Sequence, residues 1–364
     1  MTIKVLHLLC DFAGGGAERL VLDLCTHSSP EVVTVASSVF EGGDLLADFE
    51  RKGVDVRSAG PRVAWWQRPS RDVQAFVRLR SWARECDLIH THLWAGDVWG
   101  RLVGQFSGNT PVVSTEHNTR ADSRMRQAIW MRTVELSDVV VCVSEASRAR
   151  LIQAGVDPKR TRVIHNGISL DRFPKRLRDN GAPLEVPVRL LAMGRLTRQK
   201  GFDLLIRAAS RLENVRVDIV GEGPDRSLLD GLIDSLEAPV QIHEWSNTPS
   251  AWYSQADLMV IPSRWEGFGL VAAEAMASGC PIVAANIAGL REVLGDACVW
   301  FESEDPEGLA AAIRDLVKDV DRLDAMAEAG CRRASLFDVA TTARAYESLY
   351  REILEQRGSG IKSG

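Results

Sequence analysis

The segment Pro262-Ser263-Arg264-Trp265-Glu266-Gly267-Phe268-Gly269-Leu270 runs into an amphipathic stretch holding Glu274, which sets two carboxylates eight residues apart across a glycine turn. The first acid falls in a loop where Gly267 and Gly269 let the backbone approach a ligand closely. The second lies just inside an expected helix, whose leading N–H groups face the same space and favour anions. Carboxylates grip hydroxyls and a helix N-terminus grips phosphate, so the pattern suits a sugar joined to a phosphate.

Three further loops carry compatible chemistry. Leu190-Leu191-Ala192-Met193-Gly194-Arg195 leads into Lys200-Gly201-Phe202, a strand, a loop with two cations and then a helix. Arg195 and Lys200 would stand at a strand's C-terminal end, where open α/β sheets bind ligands, and can clamp a diphosphate as a fork and as a point charge. Gly221-Glu222-Gly223-Pro224 reads as a tight turn after the next strand and lacks the G-x-G-x-x-G fingerprint, which removes the best support for a nicotinamide enzyme. Gly14-Gly15-Gly16 follows the first strand and opens a helix at Ala17-Glu18-Arg19, a second place for backbone to meet a ligand.

These loops need a scaffold, and the hydrophobic pattern supplies one. Short apolar runs at Ile3–Cys10, Val32–Ser37, Leu88–His92, Val112–Thr115 and Val139–Val143 alternate with helical patterns such as Ala17–Cys25. A second series runs through Val188–Met193, Val215–Val220, Val240–His243, Leu258–Ile261, Ile282–Ala284 and Ala297–Phe301. This is the rhythm of two parallel sheets wrapped by helices. The 364 residues fit two domains, and turn residues at Asn180-Gly181-Ala182-Pro183 mark the break. Asp338 to Gln356 reads as an amphipathic helix with Tyr346, Leu349, Tyr350 and Ile353 on one side, and Arg357 to Gly364 as a disordered tail.

Composition excludes several classes. A net charge of −5 argues against nucleic acid as the main partner. The stretch Arg51 to Arg84 is locally basic, with nine Lys+Arg against two Asp, and interleaves Trp65, Trp66, Phe76 and Trp82. It reads either as a solvated helix with core tryptophans or as a surface for anionic membrane or a phosphate-bearing acceptor. Seven scattered cysteines without C-x-x-C indicate reduced thiols in a cytoplasmic protein, and the apolar run Val5 to Cys10 is too short for a signal segment or a span. Asp319-Val320-Asp321, which has the D-x-D form of a metal-binding pair, sits in a charged helical pattern away from any strand end, so no metal is expected.

Jointly, Gly14 to Arg19, Val163-Ile164-His165-Asn166-Gly167-Ile168, Gly194-Arg195 with Lys200-Gly201, Val220 to Pro224, and Glu266 to Glu274 as E-x7-E resemble the retaining glycosyltransferases of family 4. The resemblance spans almost the whole chain. It implies the GT-B fold: two Rossmann-like, doubly wound α/β domains facing across a cleft, with an acceptor-binding domain over 1–175, joined by a C-terminal helix at about 340–357, and a donor-binding domain over 186–339. It implies that Arg195 and Lys200 bind the donor's diphosphate, Glu274 the ribose and Glu266 the transferred sugar. The backbone of Gly267, Phe268, Gly269 and Leu270 would line sugar and phosphate, with Gly194 and Gly221 beside the nucleotide and Gly15 and Gly16 approaching from the first domain. His117, in Ser114-Thr115-Glu116-His117-Asn118, matches the histidine held over the sugar. Front-face attack would leave Glu266 an orienting role.

Where the family often has a small residue in the base-binding loop, this chain has Glu244-Trp245, and Trp245 either stacks on the base or plugs the core. The expected activity is metal-independent sugar transfer from a nucleotide-diphospho-sugar, UDP favoured and GDP open, without a cofactor. The acceptor is a lipid-linked saccharide of surface glycan assembly or, alternatively, a small soluble metabolite, and peripheral contact with the inner membrane face accompanies the first. A nucleotide-sugar epimerase is disfavoured by E-x7-E with Arg195 and Lys200, and a non-catalytic sugar-nucleotide-binding subunit is the reading from another class.

Overall fold

A computed structural model describes residues 2–60, 69–117, 123–175, 181–246 and 248–360. Packing divides the chain into two units, one formed by 1–167 with 339–364 and the other by 168–338. Among the described residues, unit 1 holds a parallel sheet of seven strands: β1 Ile3–Leu9, β2 Val32–Ser38, β3 Asp55–Ser58, β4 Leu88–His92, β5 Val112–Glu116, β6 Val139–Cys142 and β7 Thr161–Val163. Their order is β3-β2-β1-β4-β5-β6-β7. Unit 2 holds six parallel strands: β8 Val188–Met193, β9 Val215–Val220, β10 Val240–His243, β11 Leu258–Ile261, β12 Ile282–Ala285 and β13 Val299–Phe301, in the order β10-β9-β8-β11-β12-β13.

The two orders are the same winding, in which the first strand of each unit has a neighbour reached by a crossover in either direction. Connections leave in opposite directions from β1 and β4, and from β8 and β11, and the gap this opens at their C-terminal ends is where doubly wound sheets bind ligands. The apolar runs become the strands because helices cover both faces and leave no side exposed. In β8, Leu190, Leu191 and Ala192 are at most 1% exposed, and truncating such a leucine to alanine costs about 2–5 kcal/mol. Two strands escaped the sequence pattern, Asp55–Ser58 and Thr161–Val163. Both are short edge strands with charged residues, so hydrogen bonding to β2 and β6 rather than apolar burial makes them strands.

The helix Val339–Gly360 belongs to unit 1, where Tyr346, Leu349, Tyr350 and Ile353 pack with Ile3, Val5, Leu20 and Leu24. Its last turn corrects the expectation of a disordered tail from Arg357. That guanidinium donates to Asp138 at 2.6 Å and to the Asn109 carbonyl, which holds the turn in place; residues 361–364 lie outside the described residues. In the basic stretch, Phe76 packs edge-on against Phe106 and Trp82 lies under the Arg57 guanidinium. Trp65 and Trp66 lie outside the described residues. No helix among the described residues is long and apolar enough to cross a membrane.

Candidate active site

In unit 2 the loops leaving β8 and β11 are stitched together. Lys200 Nζ lies 2.6 Å from Glu266 Oε1, and the Ser263 hydroxyl donates to the same oxygen at 2.8 Å. Glu266 is 7% exposed, so its charge is sustained by these two donors rather than by water. Arg264 fixes the frame around the pair. Its guanidinium binds both oxygens of Asp203 at 2.7 and 2.9 Å and also Glu304, while its N–H donates to the Gln199 carbonyl. Gln199 in turn donates from its side chain to the Trp265 carbonyl. Gly201 takes φ +65°, and a Cβ there would stand 2.0 Å from the Pro262 carbonyl oxygen, so only glycine lets the two loops close up. Arg195, at the end of β8 after Gly194, is exposed and makes no ion pair with a described residue.

Gly269 caps the helix Leu270–Ala277 with φ +89° and no side-chain hydrogen bond. Phe268 turns inward against Phe337, which leaves the backbone of Gly267 to Leu270 as the helix's leading edge. Glu274 is half-buried on that helix and accepts from the Tyr253 hydroxyl at 2.9 Å. Burial, reinforced by the Glu274 charge, raises the Tyr253 hydroxyl well above its usual value, so it stays protonated and keeps donating. The sequence reading missed Arg264, Ser263 and Tyr253, although two of them lie inside the segment it singled out.

Gly221 follows β9 and packs against the Gly194 carbonyl. Trp245 is 40% exposed, which removes the possibility that it plugs the core; its N–H faces Glu222 at 3.4 Å. Asp319 accepts from the Arg322 N–H and caps the helix Val320–Ala334, so its carboxylate has a local structural task.

In unit 1, Gly15 caps the helix Gly16–His27, which starts directly beyond β1. His117 stands just past β5 in a position the sequence reading identified, but it has company that reading did not find. His7 and His90 are register partners on β1 and β4, His92 lies two residues on and shares their face, and Thr115 pairs with His92. His7 Nδ1 is 3.2 Å from His92 Nε2, and His92 Nδ1 is 3.1 Å from His117 Nε2. His90 meets the Tyr350 hydroxyl at 2.6 Å and the Thr115 hydroxyl at 2.7 Å. Burial holds His7 at about 3 and His117 at about 4, and with help from the neighbouring rings keeps His90 and His92 well below 6.5. The four rings are therefore neutral at physiological pH. Ring nitrogens of His7, His90 and His92 approach within 4.8 Å of one another, close enough to suggest a metal, yet both nitrogens of His90 and of His92 already have hydrogen-bond partners.

Directly after His92, Leu93 takes φ +63°, a left-handed conformation that costs a branched side chain and is retained at functional mouths. It lines an open pocket together with Trp94, Glu116, His117, Arg126 and Arg150. Arg126 lies over the Trp94 ring, and Arg150 is 3.9 Å from Glu116.

Comparison with known proteins identifies the family and the fold. Residues 14–172 match the model of Glycosyltransferase Family 4 and residues 175–333 that of Glycosyl transferases group 1. The chain is 31% identical to the D-inositol 3-phosphate glycosyltransferase of Thermobispora bispora, over 74% of this chain and 71% of that protein. It is equally 31% identical to a glycogen synthase of Mycobacterium tuberculosis, over 94% and 89%. Among solved structures, Anabaena HepE in complex with UDP and glucose superposes with a TM-score of 0.85 at 22% identity, covering 96% of this chain and all of that one. Sucrose-phosphate synthase from Thermosynechococcus elongatus gives 0.81, also at 22%. These two share the fold, GT-B with two parallel-sheet α/β domains. The sequence relatives go further: the chain belongs to the family 4, group 1 glycosyltransferases.

Proposed function

We propose that the chain transfers a sugar from a nucleotide-diphospho-sugar, UDP-linked in preference to GDP-linked, to an acceptor hydroxyl with retention of configuration and without a metal. The Lys200–Glu266 pair at the switch point of unit 2 carries this reading. Leaving diphosphate needs positive charge, and Lys200, Arg195 and the N-terminus of the helix Leu270–Ala277 supply it. Glu266, held by Lys200 and Ser263, hydrogen-bonds the transferred sugar and orients it. Glu274, aimed by Tyr253, takes the ribose, and Trp245 is exposed enough to stack on the base. Gly15, Gly16 and His117 stand at the strand ends of unit 1 and are assigned to substrate contact there. HepE, whose solved complex holds UDP and glucose, supports the UDP preference.

The acceptor is assigned as a lipid-linked saccharide bound by unit 1 at the cytoplasmic membrane face. Exposed Val73 and Val77 on the helix Pro69–Arg84, which also carries exposed Arg78 and Arg84, support peripheral contact with anionic lipid. A second reading, a soluble phosphate-bearing polyol, is favoured by Arg126 and Arg150 in the unit 1 pocket and by the D-inositol 3-phosphate in the name of several relatives.

The test offers UDP- and GDP-sugars with either a lipid-diphosphate saccharide in anionic vesicles or an inositol phosphate, in the presence of a chelator. Transfer from the UDP-sugar that survives chelation and disappears in Glu266→Ala is expected. Transfer to the polyol alone selects the second reading, and transfer that Glu266→Ala leaves unchanged defeats the site assignment. Nucleotide binding without transfer to either acceptor would instead mark a non-catalytic subunit.

A further inference from the structure

The rings of His7, His92 and His117 form a single file of hydrogen bonds, Nδ1 to Nε2 and then Nδ1 to Nε2, at 3.2 and 3.1 Å. A neutral imidazole has one N–H and one bare nitrogen, so each link fixes the next. If His117 Nε2 carries its proton, it donates to His92 Nδ1, His92 donates from Nε2 to His7 Nδ1, and His117 Nδ1 is a bare acceptor. If His7 Nδ1 carries the proton, donation runs the other way and His117 Nδ1 becomes a donor. Any mixed arrangement sets two N–H groups, or two lone pairs, against each other. His92 is completely buried and His7 is 1% exposed, so water cannot relieve the mismatch.

We propose that His7 and His92 are positioning residues that set the tautomer of His117, and so whether its Nδ1, the nitrogen outside the file, donates or accepts. Strand pairing makes the setting rigid: β1, β4 and β5 are adjacent, and His7, His92 and the stem of His117 occupy one face of that sheet. His90 stands beside the file without joining it. Its two nitrogens are taken by Tyr350 and Thr115, and it braces His92 at a ring separation of 4.0 Å. The strained Leu93 then turns the chain away at the point where the file meets the pocket. A switch between the two settings balances only if one proton enters at His117 Nδ1 and one leaves at His7 Nε2. The far end of the file is therefore as decisive as the near one.

The effect on transfer rests on the assignment of His117 to the substrate; the tautomer coupling does not. The test labels the histidine rings with ¹⁵N in the full chain and reads the His117 tautomer by long-range ¹H–¹⁵N correlation. One pure tautomer is expected in the native protein. His92→Phe should turn it into a mixture and His7→Phe, which does not touch His117, should do the same, with kcat for transfer lowered roughly tenfold, the scale typical of outer partners of a functional histidine, while nucleotide affinity is unchanged. His92→Gln, which can both donate and accept, should recover part of the loss. An unaltered His117 spectrum in folded His7→Phe and His92→Phe overturns the coupling, and should His92→Phe fail to fold, His7→Phe alone decides. A mixed spectrum with unaltered kcat keeps the coupling and removes the assignment of His117 to the substrate.

Discussion

Units 1 and 2 wind their strands in the same order and open their sheets at the same place, yet they furnish the opening with opposite chemistry. At the β8 and β11 ends stand formal charges in mutual contact, Lys200 with Glu266 and Arg264 with Asp203. At the β1, β4 and β5 ends stand neutral imidazoles that hydrogen-bond one another. The difference lies in how each unit withstands burial. Unit 2 keeps its charges by pairing them, whereas unit 1 buries its strand histidines, His90 beneath the helix Val339–Gly360, and burial strips their charge. One topology can thus present paired formal charges or an uncharged polar cluster, depending on what covers the strand ends.

Acid should break this comparison most strongly. His7, His90 and His92 stay neutral in the fold but protonate near 6.5 once unfolded, so below that pH the unfolded chain binds more protons. Stability is accordingly level above pH 6.5 and falls as pH drops through the window toward the folded value of about 3 for His7. Each of the three contributes up to about 1.4 kcal/mol per pH unit. Unit 2 carries one histidine, His243. Hydrogen exchange between pH 7 and 5 should show residues 1–167 losing protection first; simultaneous loss in both units would erase the contrast.

Charge removal in unit 2 comes next. Lys200→Ala deletes a charge-assisted contact of about 1.5–3 kcal/mol and leaves Glu266 buried without its cation, so donor use should weaken about ten- to a hundredfold. Kinetics with UDP-sugar that match the native protein would remove Lys200 from the site. The smallest effect is expected from Tyr253→Phe, which costs one hydrogen bond to Glu274, about 1 kcal/mol, and should loosen UDP by about fivefold with little change in melting temperature. Calorimetric titration with UDP checks this, and an unchanged affinity would show that Glu274 needs no aiming.

Much of unit 2 was legible because its signals are local. Glu266, Gly269 and Glu274 lie within nine residues, and the rule that ligands gather at switch-point strand ends joined them to Lys200, 66 residues earlier. Unit 1 hid its cluster behind an ordinary strand pattern. Leu88-Ile89-His90-Thr91-His92 reads as a buried strand, and nothing local says that β1 will bring His7 into register beside it. The signal was there in His-x-His, since residues two apart on a strand share a face. Arg264 was passed over because a cation between a serine and a tryptophan looks like a solvated loop residue until Asp203 and Glu304 fold around it. Tyr253 needed tertiary contact to become visible at all.

The helix Val339–Gly360 also decides the order in which the molecule can be made. Tyr346 and Tyr350 close over Thr115 and His90, but they are synthesised after every residue of unit 2. On the ribosome the second unit has its whole sequence available while the first still lacks its last core element, and β1 with β4 must wait, half-covered, for the end of the chain. Unit 1 can therefore complete its core only after all of unit 2 has been made, against the N-terminus-first course usual for tandem domains. A stop codon that removes only the last few turns would leave the sequence of unit 2 whole and unit 1 without a finished core.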